Sequence, residues 1–354
     1  MAYSGELPHD FKGRVGWASP SNIALVKYWG KRDKQLPQNP SISFTLSECC
    51  SKTFIAFEKA DRFGFKFYFE GKETPTFGAK IEKFLLDHQA FFPFVNQLNI
   101  RVESHNTFPH SSGIASSASS MSAFVMCLLE IERSLCQRSL GPDLALQKAS
   151  YFSRLASGSA ARSVFPAMAL WGKTEAYEGS SDEYAVPLEK VIHPIFKTYH
   201  DSILIVSGET KSVSSRAGHA LMETNPYASA RYAQARRNVS ELMAALKSGD
   251  LDAMMKITES EALQLHALMM CSNPSFILMR PNTLNIINEI RRFREETKVP
   301  VCFTLDAGPN VHLLYPDDVA EKVVAFIESE LSVYCVDRHW IADRVGDGPK
   351  PLVP

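Results

Sequence analysis

Apolar and polar residues alternate along 13–18, 41–47, 52–59 and 63–70, the period-2 pattern of half-buried strands, and the last run closes at Glu70-Gly71. The period then lengthens. KIEKFLLDH predicts a helix over about 78–90, before LNIRVESH returns to a strand at 97–104. The next stretch, Ser104 to Ala123, turns around Pro109 and Gly113 and enters a run of small residues. A helical pattern through Phe124, Leu128 and Leu129 carries it to about Glu132. Another helix is predicted after Gly141, with Pro142 in its first turn, ending near Leu155. A second Ser/Gly-rich element, ASGSAARSVF, and a strand, AMALWG, follow, and residues 173–188 read as a polar loop.

The second half opens on a strand, SILIVSG, at 202–208. Helices are predicted over about 226–247 and 251–271, the latter with Asp250 as its N-cap. A third, 281–297, carries Ile286, Ile287 and Ile290 at helical spacing. VPVCFTLDAGPNVHLLYP reads as two strands around Asp306-Ala307-Gly308-Pro309, and a helix at 317–330 and a strand at 332–338 close the chain. Residues 1–12 read as a polar arm over the surface. Strands and helices are interspersed with hairpin-like strands early, which predicts an α+β fold, with a soft boundary at 185–200.

Composition narrows the function classes. The chain has 354 residues, too many for one ordinary core, so a large bilobal domain or two domains are expected. A formal net charge of −1 argues against nonspecific nucleic-acid binding while leaving room for a local basic pocket. The seven cysteines form no CxxC pair and sit mostly among apolar residues, as reduced core thiols do. The first residues lack an apolar signal core and no run is long enough to span a bilayer, so a reduced, cytoplasmic setting is expected. The ten histidines show no HExxH or Cys/His spacing, which argues against a protein-built zinc site.

Four segments carry candidate chemistry. In NIALVKYWGKRD, Lys27 interrupts an apolar run. A buried ammonium is costly without an anion, so Lys27 pairs with a carboxylate, faces an anionic ligand, or extends its stem to water. The stretch at 104–123 turns over glycine into a helix, aiming open N–H groups and the positive end of the helix dipole at one point. It is either a phosphate cradle or a Ser/Gly loop capping a core helix, and it lacks the GxxxxGK[ST] of a Walker loop. In SGSAARS, a helical turn would put Ser159 and Arg162 on one face, where the guanidinium fork suits a carboxylate or phosphate. Asp306 ends an apolar strand before Gly-Pro, the position of a turn cap or of a carboxylate held by rigid strands.

Together these segments resemble the GHMP kinase superfamily, and within it the diphosphomevalonate decarboxylases. NIALVKYWGKRD looks like the N-terminal signature, PHSSGIASSAS like the phosphate loop PxxxGLxSSA, SGSAARS like SGSACRS, TLDAGPN like the catalytic-aspartate motif, and LIVSGETKSVSSRAG like the segment with the VSS element. The five stand in family order across nearly the whole chain. The resemblance implies a GHMP kinase fold: an N-terminal ribosomal-protein-like lobe (1–190), a C-terminal ferredoxin-like lobe (191–354), and an active site in the cleft between them. It also implies the reaction. ATP with Mg²⁺ phosphorylates the 3-hydroxyl of mevalonate 5-diphosphate, and loss of phosphate with CO₂ gives isopentenyl diphosphate.

By that resemblance Asp306 deprotonates or orients the 3-hydroxyl, Lys27 favours its ionised form, and Arg162 grips the substrate carboxylate. Tyr28, Lys31, Ser157, Ser159, Ser215 and Arg216 match positions near the diphosphate and carboxylate. Backbone and side chains of His110, Ser111, Ser112, Gly113, Ile114, Ala115, Ser116 and Ser117 match the ATP-phosphate loop, with Ser116 helping to place Mg²⁺. Lys80 is a candidate further cation for the diphosphate. The family pattern also implies a homodimer. The chain departs from it at His110-Ser111-Ser112, where Thr-Ala-Ala is usual, at Ile114 for Leu, Pro40 for Ser, and Ala161 for Cys. None of these removes a charged group, but they leave substrate and nucleotide preference open. Three other readings stay open: a decarboxylase acting on mevalonate 5-phosphate, a kinase that stops at the phosphorylated product, and a non-catalytic binding module on the same fold.

Overall fold

The computed structural model describes Tyr3 and residues 5–109, 114–136, 140–209 and 215–353, without the side chains of Ser215 and Arg216. Strand β1 (Lys12–Val26) leads through a short hairpin, β2 (Lys31–Arg32) and β3 (Leu36–Pro37), and returns as β4 (Ser41–Lys59). These two long strands pair antiparallel from Lys12↔Glu58 to Val26↔Ile42. Their register shifts between Pro20 and Asn22 and again between Ala24 and Val26. Such irregularities re-aim side chains, and here they lie just ahead of Lys27. The separate strands expected at 41–47 and 52–59 are joined into one strand, although the β1 ladder skips the residues between them. Pairing jumps from Pro20↔Cys50 to Asn22↔Thr45, and the N–H groups of Ser47, Glu48 and Cys49 are taken up by Asp343 instead.

Strands β5 (Gly64–Phe69) and β6 (Lys72–Glu73), helix α1 (Pro75–Asp87) and β7 (Leu98–Asn106) follow. Then come α2 (Ser116–Leu135), α3 (Pro142–Ala156), β8 (Met168–Trp171) and β9 (Ala185–Pro187). Thus the loop expected at 173–188 ends in a strand. α1, α2 and α3 cover one face of this sheet, where Ile55, Ile100, Val102, Phe124 and Leu128 form a core. Leu7, in the expected surface arm, is buried in the same core.

The second half contains β10 (His200–Leu204), α4 (Ser215–Ala220), α5 (Ala228–Ser248), α6 (Leu251–Met270) and α7 (Pro281–Thr297). It ends with β11 (Cys302–Leu305), β12 (Val311–Tyr315), α8 (Ala320–Phe326), β13 (Trp340–Arg344) and β14 (Lys350–Leu352). β11, β12, β10 and β13 form an antiparallel sheet in that order. Alternation along its strands sends Phe303, Leu305 and Leu313 toward α7 and α8. The opposite face, with Cys302, Leu314 and Ile203, meets α5, α6 and the ends of β1 and β4 in a core shared by both halves.

Two boundaries differ from expectation. The predicted strand at 332–338 is a pair of tight turns, Ser332–Tyr334 and Val336–Arg338, with Asp337 and Arg338 at φ of 51° and 54°. A left-handed pair breaks an extended run, so the strand forms later, where Trp340–Arg344 registers with β10. Beyond it β14 leaves the C-terminal sheet altogether and pairs with Gly16–Ala18 on the outer edge of β1. Among the described residues no helix is long and apolar enough to cross a membrane.

Candidate active site

Where β1 ends, its chain meets the strand end of β11, and between the two halves opens a cavity of about 620 Å³. Lys27 is the first residue past β1 and is only 2% exposed. Its Nζ donates to Asp306 Oδ1 at 3.3 Å, and Asp306 keeps 24% of its side-chain exposure toward the cavity. Burial pushes the Lys27 pKa down, and the Asp306 carboxylate is the main force opposing that. Asp306 directly follows β11, and its carbonyl accepts from the Gly308 N–H at 2.7 Å and from His266 Nε2 at 3.1 Å. The Gly-Pro turn is therefore braced through the backbone, leaving the Asp306 carboxylate to face Lys27.

Arg162 enters the same cavity from the other wall. A 3-10 turn, Gly158–Ala161, follows α3, and in such a turn residues three apart eclipse. Ser159 and Arg162 both line the cavity. Arg162 is fully buried, with Nη1 on the Ser41 hydroxyl and an Nε that has no partner among the described residues. Burial pushes its pKa down to about 10, with Asp306 and Tyr28 opposing. Two buried cations thus share one carboxylate across a cavity, and Lys31 adds a third positive group on its lining. That excess of positive charge suits an anionic ligand.

Tyr28 fills the space between the two walls, its ring 4.7 Å from Trp171 and 4.5 Å from His219. Gly158 permits this approach, since a Cβ there would lie 2.7 Å from the Tyr28 hydroxyl oxygen. Burial raises the Tyr28 pKa, which keeps the phenol neutral. Asn22, opposite Thr45 on β4, donates through Nδ2 to the Ser159 carbonyl at 3.2 Å and to Ser163 Oγ at 2.8 Å. Its Oδ1 is buried on the cavity wall without a partner among the described residues, an acceptor ready for a hydroxyl.

The far end of the cavity is the start of α2. Its N-cap, Ala115, is left-handed (φ 43°) and offers no side-chain cap. The Ala118 N–H turns back to the Ala115 carbonyl at 2.8 Å, and the N–H groups of Ser116 and Ser117 ahead of it have no partner among the described residues. The Ser21 hydroxyl donates to the Ile114 carbonyl at 2.6 Å and pins the entry. An uncapped helix start with hydroxyls beside it fits a phosphate chain. Ile114, Ala115, Ser116 and Ser117 line the cavity, as does Lys80 from α1. His110, Ser111, Ser112 and Gly113 lie outside the described residues, as do the side chains of Ser215 and Arg216, although α4 begins at Ser215. The cavity therefore gathers Lys27, Tyr28, Lys31, Ser157, Ser159, Arg162 and Asp306 at one end and the α2 start at the other.

Sequence reasoning missed the support beneath Lys27. Glu261 of α6 is fully buried and accepts the Lys27 backbone N–H at 2.8 Å, Arg231 Nη1 and Nη2 at 2.7 and 2.5 Å, and Asn238 Nδ2 at 2.5 Å. Asn39 donates to the Lys27 carbonyl at 3.1 Å. The available signal was a charge inside an apolar stripe: Ile257, Glu261 and Leu265 stand four apart on one face of α6.

Comparison with known proteins agrees across the chain. A diphosphomevalonate decarboxylase-like N-terminal domain matches residues 19–185, and a mevalonate 5-diphosphate decarboxylase C-terminal domain matches residues 202–347. A diphosphomevalonate decarboxylase from Ganoderma lucidum is 31% identical over 336 residues, 88% of this chain and 80% of that protein. The crystal structure of mevalonate diphosphate decarboxylase from Staphylococcus aureus has a TM-score of 0.83 at 26% identity, covering 97% of this chain and 99% of that one. A structure described as MDDEF in complex with MVAPP, AMPPCP and magnesium has a TM-score of 0.80, also at 26% identity, covering 97% and 99%.

Proposed function

Because the chain belongs to the diphosphomevalonate decarboxylase family, we propose that its cavity carries out ATP-dependent decarboxylation of mevalonate 5-diphosphate. The products are isopentenyl diphosphate, ADP, phosphate and CO₂. The observation that carries this reading is the buried Lys27 paired with the part-exposed Asp306 and facing Arg162, whose Nε has no partner among the described residues, across one cavity. Hydroxide leaves a tertiary carbon poorly, whereas phosphate leaves well. Asp306 takes or orients the proton of the 3-hydroxyl as its oxygen attacks the γ-phosphorus of ATP and the bond to ADP breaks. Phosphate then departs with the C3–O electron pair. The carboxylate's C–C bond collapses to form the alkene and releases CO₂, while Lys27 and Arg162 stabilise the charges that shift.

Arg162 holds the substrate carboxylate. Tyr28, Lys31, Ser157, Ser159, Ser215 and Arg216 take the rest of the substrate, with Lys31 and Arg216 matching the extra charge of a diphosphate. The phosphates of ATP lie on the 110–117 loop at the start of α2. Magnesium is bound mainly by phosphate and water with few protein groups, and Ser116 is the side chain placed to join them. A relative with MVAPP, AMPPCP and magnesium bound supports both ATP and the metal. In this reading residues 1–190 hold the nucleotide and residues 191–354 supply Asp306. The enzyme works as a homodimer in the cytoplasm, where its cysteines, all free among the described residues, stay reduced.

The test is ADP and CO₂ release measured with mevalonate, its 5-phosphate and its 5-diphosphate side by side. The expected outcome is equal ADP and CO₂ with the highest kcat/KM on the diphosphate. Preference for the 5-phosphate would overturn the diphosphate assignment, and ADP without CO₂ would mean a kinase.

A further inference from the structure

His219 has no part in the chemistry above, yet it lines the cavity from α4. Its ring packs on two consecutive aromatic residues of the loop leaving β1, with centroids 4.5 Å from Tyr28 and 4.6 Å from Trp29. His219 Nδ1 accepts the next residue's backbone N–H, from Gly30, at 3.0 Å. A ring nitrogen that accepts carries no proton, so the tautomer is Nε2–H. The contact is close on both sides. A Cβ on Gly218 would lie 2.4 Å from the Trp29 ring, and one on Gly30, at φ +89°, would lie 2.1 Å from the Tyr232 hydroxyl. Burial, with Lys31 nearby, pushes the His219 pKa down to about 3, so the ring remains an acceptor at neutral pH.

We infer that His219 is a positioning residue. It clamps the loop Tyr28–Lys31 to α4, the helix that opens with Ser215 and Arg216, and thereby sets the grip on the anionic end of the substrate. The loop comes from the N-terminal half and α4 from the C-terminal half, so the clamp ties two separate elements together at the cavity. Stacking alone would let the loop slide along α4, and the Gly30 hydrogen bond fixes its register. Tyr28 passes the constraint on through its contacts with Trp171 and Gly158 to the turn bearing Ser159.

Three variants separate the parts. His219→Asn keeps an acceptor near the Nδ1 position, His219→Phe keeps the stack, and His219→Ala loses both. The first readout is exchange of the Gly30 amide hydrogen. It is expected to speed up roughly tenfold or more in His219→Phe and His219→Ala and to stay slow in His219→Asn. The second rests on the proposed function: KM for mevalonate 5-diphosphate rises roughly 5- to 30-fold in His219→Ala, with kcat and KM for ATP little changed and partial rescue in His219→Asn. Equal protection of Gly30 in His219→Phe and the native protein would overturn the clamp. So would parallel losses for both substrates, which signal general damage. If the native protein ignores mevalonate 5-diphosphate while Gly30 exchange follows the expected order, the clamp stands and the functional reading falls. Should His219→Ala fail to fold, the Asn and Phe variants decide.

Discussion

At the scale of single residues, the site is defined by charges that burial penalises. Lys27 and Arg162 are almost wholly removed from water, and burial lowers the pKa of each while Asp306 opposes it. Such an arrangement is costly to stability and is held only because the surrounding fold fixes it. On the proposed function its use is a field prepared in advance for an anion, with no reorganisation at the moment of reaction. Asp306→Asn keeps the shape and removes the carboxylate proposed to take or orient the hydroxyl proton. Its kcat for CO₂ release is expected to fall ~10²- to 10⁴-fold, the usual contribution of a positioned acid–base group. KM for mevalonate 5-diphosphate should move little. Native-like turnover in that variant would take Asp306 out of the mechanism. Lys27, Arg162 and Asp306 were each legible in the sequence as candidates. The ordinary readings, such as a water-directed stem for Lys27 and a turn cap for Asp306, stayed open there, because no local window shows what a side chain faces.

At the scale of elements, the same logic works one layer deeper. α5 contributes Arg231 and Asn238, α6 contributes Glu261, and all three converge beneath the backbone of Lys27. Glu261→Ala would leave Arg231 buried without its carboxylate and free the Lys27 N–H. A loss of about 3–5 kcal/mol in urea unfolding is expected, with a fall in kcat as Lys27 loses its support. An unchanged midpoint would show that α5 and α6 hold Lys27 by packing alone. Element positions were largely legible: α7 spans the 281–297 read from its isoleucine spacing, and Asp250 caps α6 by accepting from Ala253 N at 3.0 Å. The failures turn on contacts absent from any local window. Residues 47–49 of β4 are held by Asp343 where β1 offers no partner, and the last strand forms only past the left-handed Asp337 and Arg338, where Trp340–Arg344 finds β10.

At the scale of the whole molecule, the two halves are joined by a shared apolar core and by backbone stitching. Asp343 of β13 accepts the N–H groups of Ser47, Glu48 and Cys49 at 2.8, 2.9 and 2.7 Å, docking the second sheet on β4. The chain then crosses back, with Gly346 N donating to the Thr45 carbonyl at 2.8 Å, and β14 covers the edge of β1. Removing residues 347–354 should cost about 1–4 kcal/mol, the net worth of a few ladder hydrogen bonds, and lower the thermal midpoint with kcat unaffected, since none of the tail's described residues lines the cavity. The bared edge of β1 should also promote association, visible as a shift in sedimentation. A midpoint equal to that of the full chain would mean β14 adds no net stability.

The sequence by itself determined the α+β class and most elements, and it singled out the charged candidates Lys27, Arg162 and Asp306, because periodicity and misplaced charges are local properties of a chain. Its motifs in order also pointed to the family to which the chain belongs. Only the tertiary structure decided that Lys27 pairs with Asp306, 279 residues away, that Glu261 and Arg231 lie under Lys27, and that His219 accepts from Gly30. Those contacts depend on strand register and on how two sheets dock. Both are set by burial summed over the whole core rather than by any neighbouring residue.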